Sequence, residues 1–149
     1  MRLHGDREPR QPQVGEGGGA SCCSGADNEV WSYGEHVYEI CKKYMKIREE
    51  MREYTRSLME DAHERGSPIM RPLFYDFPGD AKCWEVETQY MYGPKYLCCP
   101  VLKPDQRRIT AYLPAGEQWI LDGKEFSGGQ KVEIDCPIEN MPVFIKQVR

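Results

Sequence analysis

The chain has 149 residues, 40% of them apolar and 11% aromatic, with 24 acidic against 20 basic side chains and a formal net charge of −4. That length holds one domain or two small pieces. The mild acidity excludes a basic footprint for nucleic acid or an anionic membrane, and no apolar run reaches the roughly 18 residues that a spanning helix needs.

The first residues, Met1 to Arg10, are too polar and charged for a secretory signal. Residues 6–28 are rich in Gly, Pro and Ser around Gly17-Gly18-Gly19, which predicts a flexible loop. A long helix is predicted over 32–65. Ser32 and Glu35 have the spacing of a capping box. Val37, Ile40, Tyr44, Ile47, Met51, Tyr54 and Leu58 then recur in steps of three and four, tracing one face. Glu49 with Arg52 and Glu53 with Arg56 belong to the opposite, solvated face. The apolar stripe reads as a core face against a sheet, because Tyr44 and Tyr54 suit a coiled-coil seam poorly. Gly66 and Pro68 end the helix.

Residues 68–75, from Pro68 to Tyr75, are nearly continuous in apolar side chains, as in a strand buried on both faces of a parallel sheet. Strand, long helix, short loop and buried strand compose a βαβ unit. Phe77-Pro78-Gly79-Asp80 is a turn. Trp84, Thr88 and Met91 share one face of a predicted short helix closed by Gly93-Pro94. Beyond a boundary near Gly93 come short strands: Tyr96 to Leu102, then Ile109, Ala111 and Leu113 in alternation. Trp119 and Leu121 follow, leading into the hairpin signal Asp122-Gly123. Val132, Ile134 and Cys136 alternate again, and Met141 to Val148 closes the series. The turn signals between them predict a small antiparallel β-sandwich or meander. The fold class expected is thus α+β.

Seven cysteines, with Cys22-Cys23 and Cys98-Cys99 adjacent and no Cys-x-x-Cys, do not suit a secreted disulfide framework. They lean to a reducing, cytoplasmic compartment. A thiol or zinc protein is the sharper alternative, disfavoured because no ligand spacing supports it.

Several stretches together resemble glycoside hydrolase family 31. Met1-Arg2-Leu3-His4-Gly5 is similar to the end of the family's seventh barrel strand, with its Arg-x-His. Gly66-Ser67-Pro68-Ile69-Met70-Arg71-Pro72-Leu73 is similar to the eighth strand. Gln89-Tyr90-Met91-Tyr92-Gly93 and Cys99-Pro100-Val101 resemble the run into the β-sandwich beyond the barrel, and Tyr112-Leu113-Pro114-Ala115-Gly116 with Trp119 resembles a stretch inside it. Each motif alone is weak. Their order and spacing over nearly the whole chain are specific.

The resemblance implies a retaining α-glycosidase acting on terminal α-xylosidic or α-glucosidic bonds of an oligosaccharide or glycoside, with no cofactor. Residues 1–93 would be the last part of a TIM (β/α)8 barrel and 94–149 the proximal C-terminal β-sandwich domain. A whole barrel takes about 250 residues, so the chain is expected to be a fragment, with the missing N-terminal portion as its partner. Retaining glycosidases use two carboxyl groups about 5–5.5 Å apart. The family's two catalytic Asp motifs do not occur here, so no catalytic residue is assigned and activity of the chain alone is not expected. Asp76 and Asp80, flanking a Pro-Gly turn, read as turn-capping carboxylates rather than a substitute pair.

By resemblance, His4 would bind sugar hydroxyls at the barrel mouth, and Arg2, two residues earlier on the same strand face, would orient a neighbouring carboxylate. Asp6 and Arg7 lie in the loop beyond. Trp31 and Tyr33 are sugar-stacking candidates, with core or staple roles preferred. Arg71 is expected to be a buried structural partner. The competing function is a non-catalytic carbohydrate-binding or scaffold module. It would need an exposed aromatic row, for which the only candidates, Tyr112 and Trp119, read as core. Strands cut from a closed barrel leave open apolar edges, so poor solubility is expected.

Overall fold

The computed structural model describes residues 30–147, which divide into two compact units between Arg52 and Glu53. In the first, a 3-10 turn over Val30–Tyr33 precedes helix α1, Glu35–Glu50. Gly34, at φ +84°, takes the N-cap without a side-chain cap. The helix therefore starts later than the Ser32–Glu35 capping box predicts, because the turn already occupies Ser32 and only glycine enters that φ cheaply. The predicted stripe of Val37, Ile40, Tyr44 and Ile47 is half-buried throughout and fully buried nowhere. Its solvated face carries Lys42–Glu39 and Arg52–Glu49 ion pairs at 2.8 and 2.7 Å.

The predicted single helix is interrupted at Met51, and α2 spans Arg52–Arg65. Gly66, at φ +70°, ends it as a left-handed cap, with its N–H bonded to the Ala62 carbonyl. Leu58 is the one fully buried α2 side chain.

The second unit is an antiparallel, β-rich domain. A six-stranded sheet runs in the order β1 (Met70–Arg71), β2 (Tyr90–Tyr92), β3 (Tyr96–Cys98), β8 (Val143–Lys146), β5 (Gln118–Leu121), β6 (Lys124–Ser127). A separate pair joins β4 (Arg108–Leu113) to β7 (Gln130–Asp135). Trp119, Phe144, Leu97 and Met91 from the large sheet share one core with Ile109, Ala111 and Leu113 from the small one. Val132 and Ile134 of β7 pack on its margin. The inward positions expected of Ile109, Ala111, Leu113, Val132 and Ile134 therefore hold, and the domain is antiparallel and β-rich as expected. Asp122 at φ +49° and Gly123 at φ +76° make the tight β5–β6 turn that the Asp-Gly pair predicts.

Two predicted elements differ. The buried strand over 68–75 shrinks to Met70–Arg71, and it pairs antiparallel with β2 rather than parallel. Pro72 lacks the N–H that a continuing ladder needs. From there the chain turns into the short helix α3, Leu73–Asp76, which buries Leu73. The predicted helix through Trp84, Thr88 and Met91 is a 3-10 turn, Ala81–Trp84, followed by β2. Met91 lies opposite Leu97 with both side chains in the core, so strand pairing overrides the local spacing of three and four.

Candidate functional site

Arg2 and His4, the predicted sugar contacts, lie outside the described residues, as do Asp6, Arg7, Cys22 and Cys23. Trp31 and Tyr33 are described, and the core role expected of them is corrected. Trp31 is 67% and Tyr33 41% exposed, because the 3-10 turn buries Val30 instead.

Arg71, Asp76 and Asp80 bracket α3 and the turn that follows it. Arg71 is buried, donates from Nε to the Pro68 carbonyl at 2.7 Å and from Nη1 to Asp76 at 3.0 Å, and lies 3.8 Å from Asp61 of α2. It is the buried structural partner expected from the sequence. Its guanidinium also sits 5.4 Å from the centre of the Tyr75 ring. Asp76 Oδ2 is buried without a hydrogen-bond partner.

Asp80 caps the 3-10 turn through the Lys82 N–H at 3.1 Å. Its other oxygen accepts from the Tyr112 hydroxyl at 2.6 Å and the Ala115 N–H at 2.9 Å. Burial pushes the Asp80 carboxyl up, but the bonds from Tyr112, Ala115 and Lys82 favour the charged form, and the net shift is downward. The same site pushes the Tyr112 phenol up, first by burial and then by the Asp80 carboxylate. Asp80 thus caps a turn, as expected from the sequence, whereas Asp76 is tied into the fold by the Arg71 ion pair rather than by a cap. One is held by an arginine, the other by a phenol and two backbone amides. A general acid in a glycosidase must instead be free to reach the glycosidic oxygen.

Gln89 is the element that sequence reasoning missed. It is 7% exposed, and it completes the backbone of Tyr112: its Oε1 accepts from the Tyr112 N–H at 2.7 Å and its Nε2 donates to the Tyr112 carbonyl at 3.0 Å. The amide thereby acts as a strand partner at that position. Nothing local signals a partner 23 residues on. A cavity of about 280 Å³ opens beside it, lined among others by Thr88, Cys99, Pro100, Lys103 and Thr110. No carboxylate lines this cavity, and Gln89 has already committed both ends of its amide.

The five described cysteines are free thiols. Burial pushes the Cys83 and Cys99 thiols up to about 12, and it raises Cys98 and Cys136 as well. Groups held as thiols are poor nucleophiles and poor metal ligands. Among the described residues, no three His, Cys, Asp or Glu side chains converge on a metal-sized site. Tyr112 and Trp119, the candidates for an exposed aromatic row, are both in the core.

The profile described as glycosyl hydrolase family 31 C-terminal domain matches residues 66–148, more than half of the chain. Alpha-glucosidase 2 of Bacillus thermoamyloliquefaciens is 36% identical over 121 residues, covering 80% of this chain and 15% of its own length. An alpha-xylosidase of Saccharolobus solfataricus is 28% identical over 148 residues, covering 98% of this chain and 18% of its own. The crystal structure of a GH31 alpha-xylosidase from a soil metagenome, complexed with xylose, superposes at a TM-score of 0.82 with 46% identity. That match covers 87% of this chain and 20% of the solved one. The chain spans a fifth or less of each of these relatives.

Proposed function

The chain belongs to glycosyl hydrolase family 31, and from that premise we propose that it is the C-terminal portion of a retaining α-glycosidase that removes terminal α-xylosyl or α-glucosyl groups. The observation that carries this reading is the likeness to the soil-metagenome alpha-xylosidase, in sequence and in fold together. It also favours α-xylosides over α-glucosides. On this reading the nucleophile and the acid/base belong to a (β/α)8 barrel formed mainly by the part of the relatives that this chain does not span, and residues 66–148 form the β domain that follows it. His4 hydrogen-bonds sugar hydroxyls, and Arg2 orients a carboxylate beside it. Bonds to those hydroxyls tighten as the ring approaches an oxocarbenium geometry.

The chain alone is inert on this reading, because Asp76 and Asp80 are held in structural bonds. Hydrolysis of chromogenic α-xyloside and α-glucoside by the purified 149-residue chain tests it. No release above buffer is expected. Release that survives repurification would overturn the fragment reading. In a complete relative, replacing the histidine that matches His4 by alanine should lower turnover roughly 10²–10³-fold, the scale of losing one transition-state donor. An unchanged kcat/KM removes His4 from the site.

A further inference from the structure

The cavity of about 280 Å³ beside Gln89 is walled mainly by the segment that leads from β3 into β4. Its size falls just below the roughly 300–1,000 Å³ of ordinary ligand pockets, so it has room for a single small ring and not for a long chain. Pro100, Leu102 and Ile109 supply an apolar wall, with Leu102 62% exposed. The polar lining is uncommitted. The Thr88 and Thr110 hydroxyls and the Lys103 ammonium have no hydrogen-bond partner among the described residues. Gln106 donates from Nε2 to the Arg108 carbonyl at 2.9 Å, which leaves its Oε1 open to a donor. An apolar wall with a few convergent polar groups is the general composition of a small-molecule site.

The same segment is basic and conformationally strained. Lys103, Arg107 and Arg108 stand close together against one acid, Asp105, in a chain of net charge −4. Arg108 is neutralised by Asp135 at 2.9 Å, whereas Lys103 has no carboxylate partner among the described residues. Asp105 holds φ +57°, and the Gln106 N–H bonds back to the Lys103 carbonyl at 3.4 Å. The other non-glycine residue at positive φ among those described, Asp122, is explained by its hairpin turn. Left-handed backbone at a non-glycine residue collects at ligand clamps, where the surrounding structure holds it in place. We propose that the cavity is a subsite for a sugar acid, one pyranose ring carrying a carboxylate. Lys103 pairs with the carboxylate, and the Thr88 and Thr110 hydroxyls and Gln106 Oε1 bond the ring hydroxyls. The C–H face of the ring lies on Pro100, Leu102 and Ile109. Inorganic phosphate would leave that apolar wall uncovered and offers Gln106 Oε1 few donors. A neutral sugar would leave the Lys103 charge unmatched. Every residue used lies between 88 and 110, so the inference does not depend on the glycosidase reading.

The test is saturation-transfer NMR of methyl α-glucuronoside, methyl α-glucoside and inorganic phosphate against the 149-residue chain. This ligand-observed measurement needs only micromolar protein and tolerates association of the chain. The glucuronoside should bind about fivefold more tightly than the glucoside, the upper range for a partly exposed ion pair. Its ring C–H protons should receive most of the transfer. Lys103→Met, at an exposed position, should bring the glucuronoside down to the level of the glucoside and leave the glucoside unchanged. Thr110→Val, which keeps the side-chain shape, should weaken both sugars. Equal affinity for a glucuronate-bearing oligosaccharide assigns the site to one acidic ring from any source, and tighter binding of that oligosaccharide assigns it to a polymer-borne acid. Equal affinities for glucuronoside and glucoside overturn the proposal. Displacement of the glucuronoside by an equal concentration of phosphate reduces the site to a basic patch and overturns it too. Transfer that survives both substitutions, or no transfer to either sugar, does the same.

Discussion

The Tyr112 hydroxyl donates to Asp80 Oδ2 at 2.6 Å, joining residues 32 positions apart: one near the end of β4, the other at the cap of the turn after α3. The carboxylate keeps the Ala115 and Lys82 amides as well, so it ties three segments together.

Tyr112→Phe should destabilise the domain by about 1–2 kcal/mol, the range for a hydrogen bond to a charged group in a partly open site. Urea denaturation checks it. The pH dependence follows from the downward shift of Asp80. A carboxyl whose folded pKa lies below its unfolded value of about 3.9 contributes stability in full above that value. The contribution is lost as pH falls through the lower folded pKa. Wild-type stability should therefore fall below about pH 4 more steeply than that of Tyr112→Phe, and equal slopes would remove the bond from the acid response.

Gln89→Leu keeps the volume and strands the Tyr112 N–H and carbonyl inside the core. Each buried group left unsatisfied costs roughly 1–3 kcal/mol, so the variant should lose about 2–4 kcal/mol. A midpoint within experimental error of wild type would mean that water replaces the amide from the neighbouring cavity.

Gly93→Ala should be among the most damaging small changes. The backbone at Gly93 has φ +59°, and an added Cβ would strike the Tyr54 hydroxyl and come 2.6 Å from a Leu58 methyl. Left-handed backbone costs a non-glycine residue about 1–2 kcal/mol and overpacking about 1–3 more. The expected signature is a lower thermal midpoint and faster hydrogen exchange along α2, whose Tyr54 donates to the Tyr92 carbonyl beside this glycine. An unaltered midpoint would place the glycine's role elsewhere.

The buried thiols predict a labelling pattern. Cys83, Cys98, Cys99 and Cys136 should resist an aromatic disulfide reagent at pH 8 and react together once urea unfolds the domain, since thiolate is the reactive form and burial suppresses it. Raised folded pKa values also mean that stability from these groups is complete below the unfolded thiol value of about 8.5 and declines as pH rises toward about 12. Mass spectrometry of labelled peptides reads the first expectation, and a denaturation series from pH 8 to 10 the second.

Alternation of period two made β4 and β7 readable, because inward and outward positions differ in a half-buried strand. Asp122-Gly123 announced its turn for an equally local reason: few residue pairs accept positive φ twice in succession. The Glu49–Arg52 and Glu53–Arg56 ion pairs and the stop at Gly66 were legible on the same terms, as was the structural duty of Arg71. The ends of the strands were not. Whether residues 68–75 continue a strand depends on what pairs with Met70, and Tyr92 does so from 22 positions away. Met91 fits a helix face locally and became a strand residue because Leu97 lies opposite it. Of the candidate site, the sequence offered only an expectation, that the two Asp motifs implied by the family resemblance do not occur in it. That Asp76 and Asp80 are engaged elsewhere was decided only by the tertiary structure. It brings the Tyr112 phenol and the Ala115 amide to Asp80 from across the domain, and a carboxylate's task is set by the donors that reach it.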